Sequence, residues 1–205
     1  MPVTAQVSAD GLRAHVAAWL AADWPLVVAR QPCGDVMPDN IAVGLALPPV
    51  QGKRRIALSM TPQDISRHSQ PLLLAEALAH APVEWQPALA KLDAAATDID
   101  LELRVFGSLA WQALSGLPYL TPQSDIDLLW HPYSNAQLQQ GIELLARWEH
   151  DSGLRADGEV LFGGNSAVSW REWTRLKSGS DQRVLVKRES SAELVATREL
   201  LEMLA

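Results

Sequence analysis

The chain has 205 residues, 48% of them hydrophobic, and a formal net charge of −7. That is apolar material enough for one large domain or two small ones with real cores, while the acidic balance argues against a dominant nucleic-acid-binding role, which needs clustered Lys and Arg. No apolar run approaches the roughly 20 residues that span a bilayer, no N-terminal stretch has the layout of a secretory signal, and the lone Cys33 has no intrachain disulfide partner, so a cytoplasmic protein is expected.

An amphipathic helix is expected over 10–22, followed by strands over 25–30, 41–47 and 54–60, each of strand length and bounded by turn formers. At 61–68 a helix start is expected, with Thr61 as N-cap, Pro62 at the first helical position and Asp64 in the first turn. Helices over 71–81 and 85–97 follow from apolar residues at helical spacing. From residue 99 strands and helices alternate: strand 99–106, helix 108–116, strand 125–130, helix 135–153, strand 155–162. A short run at 165–170, a helix at 171–177, a strand at 183–189 and a closing helix over 191–204 complete the chain. This order predicts an α/β (α+β) fold, with a smaller β-rich N-terminal domain over 1–82 and a mixed sheet with helices over 83–205.

The chemistry concentrates between Leu101 and Trp130. An apolar strand ends in Gly107-Ser108, and the next strand carries Asp125 and Asp127, which strand alternation places on one face. Two neighbouring carboxylates repel unless a cation joins them, and Mg²⁺ (or Mn²⁺) bound by one or two carboxylates together with substrate phosphates is the usual solution. Gly107 lets the backbone turn sharply and a ligand approach closely, and Ser108 opens a helix whose free N–H groups attract anions. A third acid is expected from the strand 155–162, where Asp157 and Glu159 share a face; Asp157 is preferred because it lies nearer the strand's start, with Glu159 as the alternative. Its role would be metal ligand or proton acceptor. Strand, Gly-Ser turn, helix and two acid-bearing strands together point to a phosphate and metal site.

Of the eight Trp residues, Trp19, Trp85, Trp111 and Trp148 sit on apolar helical faces and Trp130 faces away from the acids, so core packing is expected. Trp170 and Trp173 lie among basic residues, where either base stacking or helix packing is open. His15, His68, His80, His131 and His150 show no zinc-ligand spacing with one another or with Cys33. Lys53-Arg54-Arg55, Arg171 with Arg175 and Lys177, and Arg183 with Lys187 and Arg188 are local basic patches.

The strand, Gly107-Ser108 and Asp125-x-Asp127 resemble the signature of the nucleotidyltransferase superfamily, with a longer gap over 109–124 than is usual there. That stretch, together with WPLVVARQP, IAVGLALPP-x-x-GKRRIAL and RADGEVLFGGNSAVSWRE, is similar to malonate decarboxylase holo-acyl-carrier-protein synthases, the phosphoribosyl-dephospho-CoA transferases. The resemblance implies transfer of the phosphoribosyl-dephospho-CoA group from 2′-(5″-triphosphoribosyl)-3′-dephospho-CoA to a serine of the acyl carrier subunit of malonate decarboxylase, with release of diphosphate. It implies that Asp125 and Asp127 hold Mg²⁺ and that Gly107 and Ser108 contact the triphosphate; it does not decide between Asp157 and Glu159 as the third acid. Arg171, Arg175, Lys187 and Arg188 would neutralise diphosphate or dock the acidic carrier. Competing expectations are another Mg-dependent nucleotidyltransferase acting on a small molecule, nucleic acid or protein, and a non-catalytic module that binds a partner through a Trp-rich surface.

Overall fold

A computed structural model describes residues 9–29, 40–163, 165–176 and 182–204; Cys33 and Lys177 lie outside them. The first half forms helix α1 (Ala9–Ala21) and a three-stranded antiparallel sheet in the order β1-β2-β3, with β1 Val27–Val28, β2 Ile41–Ala46 and β3 Arg55–Met60. Alternation in β2 turns Val43 and Leu45 inward, where Leu45 and Leu47 meet Trp19 of α1. The strand expected over 25–30 is thus only two residues long among the described residues.

The start signal at Thr61 forms, but no helix follows it. Asp64 accepts from Thr61 Oγ1 at 2.7 Å and from Thr61 N–H at 3.2 Å, yet only a single 3₁₀ turn, Pro62–Asp64, results and Ile65 is already extended. Ser66, His68 and Ser69 offer no apolar face to bury, so a costly nucleus is not repaid by packing.

The second half holds α2 (Leu74–Ala77) with a 3₁₀ turn at Leu78–His80, α3 (Gln86–Thr97), β4 (Leu103–Val105), α4 (Gly107–Ser115), β5 (Ile126–Trp130), α5 (Asn135–Ser152) and β6 (Ala156–Phe162). Then come β7 (Ser166–Ser169), α6 (Trp170–Trp173), β8 (Arg183–Lys187), β9 (Ala192–Ala196) and α7 (Thr197–Glu202). The six strands pair in chain order, and β5 with β6 is the parallel pair; the other pairs are antiparallel. A parallel neighbour needs a crossover, which α5 supplies; it starts at Ser134, whose hydroxyl accepts from Gln137 N–H at 3.2 Å, and stops at Gly153 in the left-handed region, φ 71°.

One sequence expectation changes outright here. Residues 192–196 do not open the closing helix but form β9, in register with β8 from Lys187↔Ala192 to Arg183↔Ala196. Ala, Glu and Leu favour helix, but propensity is a weak prior and pairing with the edge of β8 overrides it here; the helix begins only at Thr197. Ile126, Leu128 and Trp130 of β5 face the helices, with Leu89 and Leu92 of α3 and Leu138 and Leu145 of α5 in the same core. Trp85, Trp148, Trp170 and Trp173 are buried there as well. The described Trp residues are therefore core groups, apart from the half-buried Trp24, and form no Trp-rich surface.

Leu74, Ala77 and Ala81 also belong to this larger core. The halves share a second, smaller core: Trp19, Leu45 and Leu47 of the first meet Trp111 of α4 and Tyr119 of the loop after it. Trp19 and Trp111 pack edge-on at 5.4 Å, Trp111 stacks on Tyr119 at 6.2 Å, and Tyr119 donates to the Ala46 carbonyl at 2.6 Å. The long stretch 109–124 is thus the seat of the N-terminal sheet. Gln112 pins it, accepting from Tyr119 and Leu120 N–H at 2.9 and 3.0 Å and donating to the His80 carbonyl at 2.6 Å.

Candidate active site at the Gly107 turn

Strand β4 ends at Val105, and Phe106 N–H donates to the Asp127 carbonyl at 3.1 Å, carrying the chain alongside β5. Gly107 then turns into α4 with φ +62°. That left-handed backbone favours glycine, and space demands it too: a Cβ here would overlap the carboxylate of Asp127. The backbone N–H of Ser108 favours the ionised form of that carboxylate.

Asp127 stands in register with Asp157 across the parallel pair, where neighbouring strands are about 4.8 Å apart. Its pKa is pushed up to about 6, first by burial, then by the charge of Asp157 and less by that of Asp125; the Ser108 N–H and the positive charge of Lys53 oppose the rise. Asp125 precedes β5, and its side chain is 29% exposed. Its Oδ1 is buried and accepts no hydrogen bond; Arg155 Nε lies 3.4 Å away. Asp157 is exposed and one of its oxygens accepts from the N–H of Gly158 at 2.8 Å. The two candidates for the third acid thus occupy different surroundings. Glu159 is opposite Leu129, one row further along, and holds Lys187 Nζ at 2.5 Å.

Among the described residues no three metal-ligating side chains converge into a ready-made cage. The donor set does suit a hard cation that keeps waters or phosphates as further ligands: carboxylate oxygens only, one of them buried and without a donor. Asp125 and Asp127 are the pair that would hold it, with Asp157 beside them.

Three of the basic residues expected at the substrate have partners within the fold. Arg171 reaches Glu149 at 2.5 Å and the Ala156 carbonyl at 2.6 Å, and lies over the Trp170 ring at 4.7 Å. It fastens the end of α5 to the start of β6. Lys187 is taken by Glu159, and Arg188 by Glu193 and by Ser166 Oγ at 3.2 Å. Arg175 is exposed. Two cations that the sequence did not assign to the site stand near the acids instead: Arg155 by Asp125, and Lys53 by its field at Asp127. Arg155 was findable, since the pairing that sets Asp127 opposite Asp157 also sets residue 155 beside residue 125. Lys53 depends on how the two halves pack, which no local pattern reveals.

The family model described as the phosphoribosyl-dephospho-CoA transferase MdcG C-terminal domain matches residues 73–198, and that of the corresponding N-terminal domain matches residues 3–71. The chain belongs to the phosphoribosyl-dephospho-CoA transferase family. Its curated relatives include a phosphoribosyl-dephospho-CoA transferase of Xanthomonas campestris pv. campestris, 45% identical over 93% of this chain and 87% of the relative. Another of that name from Bradyrhizobium diazoefficiens is 36% identical over 81% of this chain and 71% of the relative. No solved structure matches the chain. The two family segments meet between residues 71 and 73, where the chain enters the larger core. Among the described residues no helix is long and apolar enough to cross a membrane.

Proposed function

We propose that the chain transfers the phosphoribosyl-dephospho-CoA group of 2′-(5″-triphosphoribosyl)-3′-dephospho-CoA to a serine hydroxyl of the acyl carrier subunit of malonate decarboxylase, in the cytoplasm. The observation that carries this is the placement of Asp125, Asp127 and Asp157 at the Gly107 turn in a chain whose relatives bear the transferase name. The serine oxygen forms a bond to the α-phosphorus, the bond from that phosphorus to diphosphate breaks, and the serine proton passes to a carboxylate. Asp125 and Asp127 would hold Mg²⁺ or Mn²⁺, which when bound supplies positive charge to the phosphate oxygens.

The chain's own residues set the stage for the rest. Gly107 removes the side chain that would fill the approach to Asp127, and Ser108 N–H favours that carboxylate's ionised form. The first-turn N–H groups of α4 favour an anionic tail beside it. Asp157, exposed and opposite Asp127, would accept the serine proton.

Incubating the apo carrier subunit with this protein, Mg²⁺ and the triphosphoribosyl donor should add the mass of one phosphoribosyl-dephospho-CoA group, and Asp125→Asn should abolish the gain. An unchanged mass with folded protein and competent donor would reject the assignment.

A further inference from the structure

On the face of β5 turned away from the helices, Asp127 is followed two residues on by Leu129, about 7 Å further along the strand. Leu129 stands in register between Arg104 of β4 and Glu159 of β6. Here and just beyond, the surface sinks into a cavity of about 300 Å³ whose lining includes Gln70, Pro71, Arg104, Leu129, His131 and Leu161. That volume is at the lower end for small-molecule sites, and an apolar floor with a few polar groups is their usual composition. It has room for one ring system rather than for a whole donor molecule.

The charges around this cavity are already settled. Glu159 is closed by Lys187 at 2.5 Å. Arg104 donates from Nε to Glu102 Oε1 at 2.7 Å and from Nη1 to the Pro71 carbonyl at 2.5 Å, and its Nη2 also lies 2.7 Å from Glu102 Oε1. Guanidinium N–H bonds lie in the plane of the group, so these contacts engage all three nitrogens along the edge and hold the plane still, while the side chain remains 26% exposed. A guanidinium with its edge occupied still has its faces for stacking on an aromatic ring. Arg171 has the Trp170 ring over it; among the described residues no ring covers Arg104.

Position and chemistry select the occupant. In the donor the triphosphate is carried on C5″ of a ribose that is joined to the 2′ oxygen of the adenosine, so a single sugar separates the reacting phosphorus from the nucleoside. The cavity lies one such short step from the acids, on the same face of the sheet. Arg104 has its charge committed to Glu102 and offers little to a phosphate, and the pantetheine arm has no ring to stack. We propose that this cavity binds the adenine of the donor, stacked on the guanidinium of Arg104 over Leu129 and Leu161; this rests on the phosphoryl-transfer reading above.

The test is photo-crosslinking of the full chain with an 8-azidoadenine analogue of 3′-dephospho-CoA, paired with calorimetric binding of 3′-dephospho-CoA and of inorganic tripolyphosphate. Label should map to the peptides that carry Gln70, Arg104, His131 or Leu161. Arg104→Lys keeps the charge toward Glu102 and loses the plane. It should weaken 3′-dephospho-CoA binding by about tenfold, the scale of one base stacked on a side chain, and raise KM for the donor more than it lowers kcat, with tripolyphosphate binding unchanged. Leu194→Arg, on the exposed surface of β9, should alter neither ligand. Label confined to residues outside the cavity, or equal 3′-dephospho-CoA affinity in wild type and Arg104→Lys, would overturn the adenine assignment while carrier modification by the wild type leaves the transferase reading standing. Label that apo carrier displaces and unlabelled 3′-dephospho-CoA does not would give the cavity to the carrier and likewise overturn the assignment. A wild type that binds neither ligand and modifies no carrier would overturn both.

Discussion

Two charged regions of the sheet are built on opposite terms. Around α6 and β8 each of three cations has a carboxylate: Arg171 with Glu149, Lys187 with Glu159, Arg188 with Glu193. At the Gly107 turn three acids gather instead, Asp127 facing Asp157 with Asp125 just before it, and a buried Asp125 oxygen has no hydrogen-bond donor. The first arrangement satisfies its own charges and holds α5, β6 and β8 together. The second sets three acids against Arg155, 3.4 Å from Asp125, and burial raises the pKa of its central acid. A fold does not need such repulsion; a ligand that brings positive charge and phosphates does.

The comparison breaks most sharply under substitution of the acids. Asp125→Asn and Asp127→Asn should each lower carrier modification by roughly a thousandfold, the upper scale on which one charge-stabilising group is felt, with an unchanged circular dichroism spectrum. Wild-type rates from either variant would place the chemistry elsewhere. Next comes Gly107→Ala, which forces a methyl onto the Asp127 carboxylate at positive φ. Thermal unfolding should show a loss of about 1–3 kcal/mol, and activity should fall further than stability does.

Arg171→Ala sharpens the other side. It strips Glu149 and the Ala156 carbonyl of their donor, so a loss of about 2 kcal/mol is expected by urea unfolding, with kcat per folded molecule nearly unchanged. A variant that stays stable but loses donor affinity would move Arg171 from the scaffold to the substrate.

The smallest effect concerns pH. Asp127 has a folded pKa raised to about 6 against an ordinary 3.8, so in metal-free protein the fold favours its protonated form. Below about pH 4 the group is neutral folded or unfolded and costs nothing; as pH rises through 6 the folded state must carry the ionised carboxylate and loses stability. Asp127→Asn should therefore stabilise metal-free protein at pH 7.5 by about 1 kcal/mol, the full shift being discounted because the carboxylate is partly open to water. At pH 4 the gain should vanish. Equal unfolding curves at pH 7.5 would remove the claim of strain at this acid.

The central architecture is legible in the sequence because each piece is local. Gly107-Ser108 after an apolar run, Asp125-x-Asp127 within one, and a helix running from Asn135 to Gly153 are patterns of period and punctuation, and the structure has a strand, turn or helix at each. What stayed hidden is set by tertiary competition. Ala192–Ala196 reads as helix until the open edge of β8 is known, Thr61 starts only a single 3₁₀ turn with nothing to pack against, and Arg171 and Lys187 look unpartnered until Glu149 and Glu159 are placed beside them. The long gap over 109–124 reads as a departure from pattern, and its role is visible only once Trp111 and Tyr119 are seen holding the other half.

The most direct test of the three acids as a cation site is Mn²⁺ binding followed by electron paramagnetic resonance, comparing wild type with Asp125→Asn. One Mn²⁺ site in the wild type, weakened or lost in the variant and tightened by added tripolyphosphate, is the predicted result. Equal binding by both proteins, or none by the wild type, would contradict it.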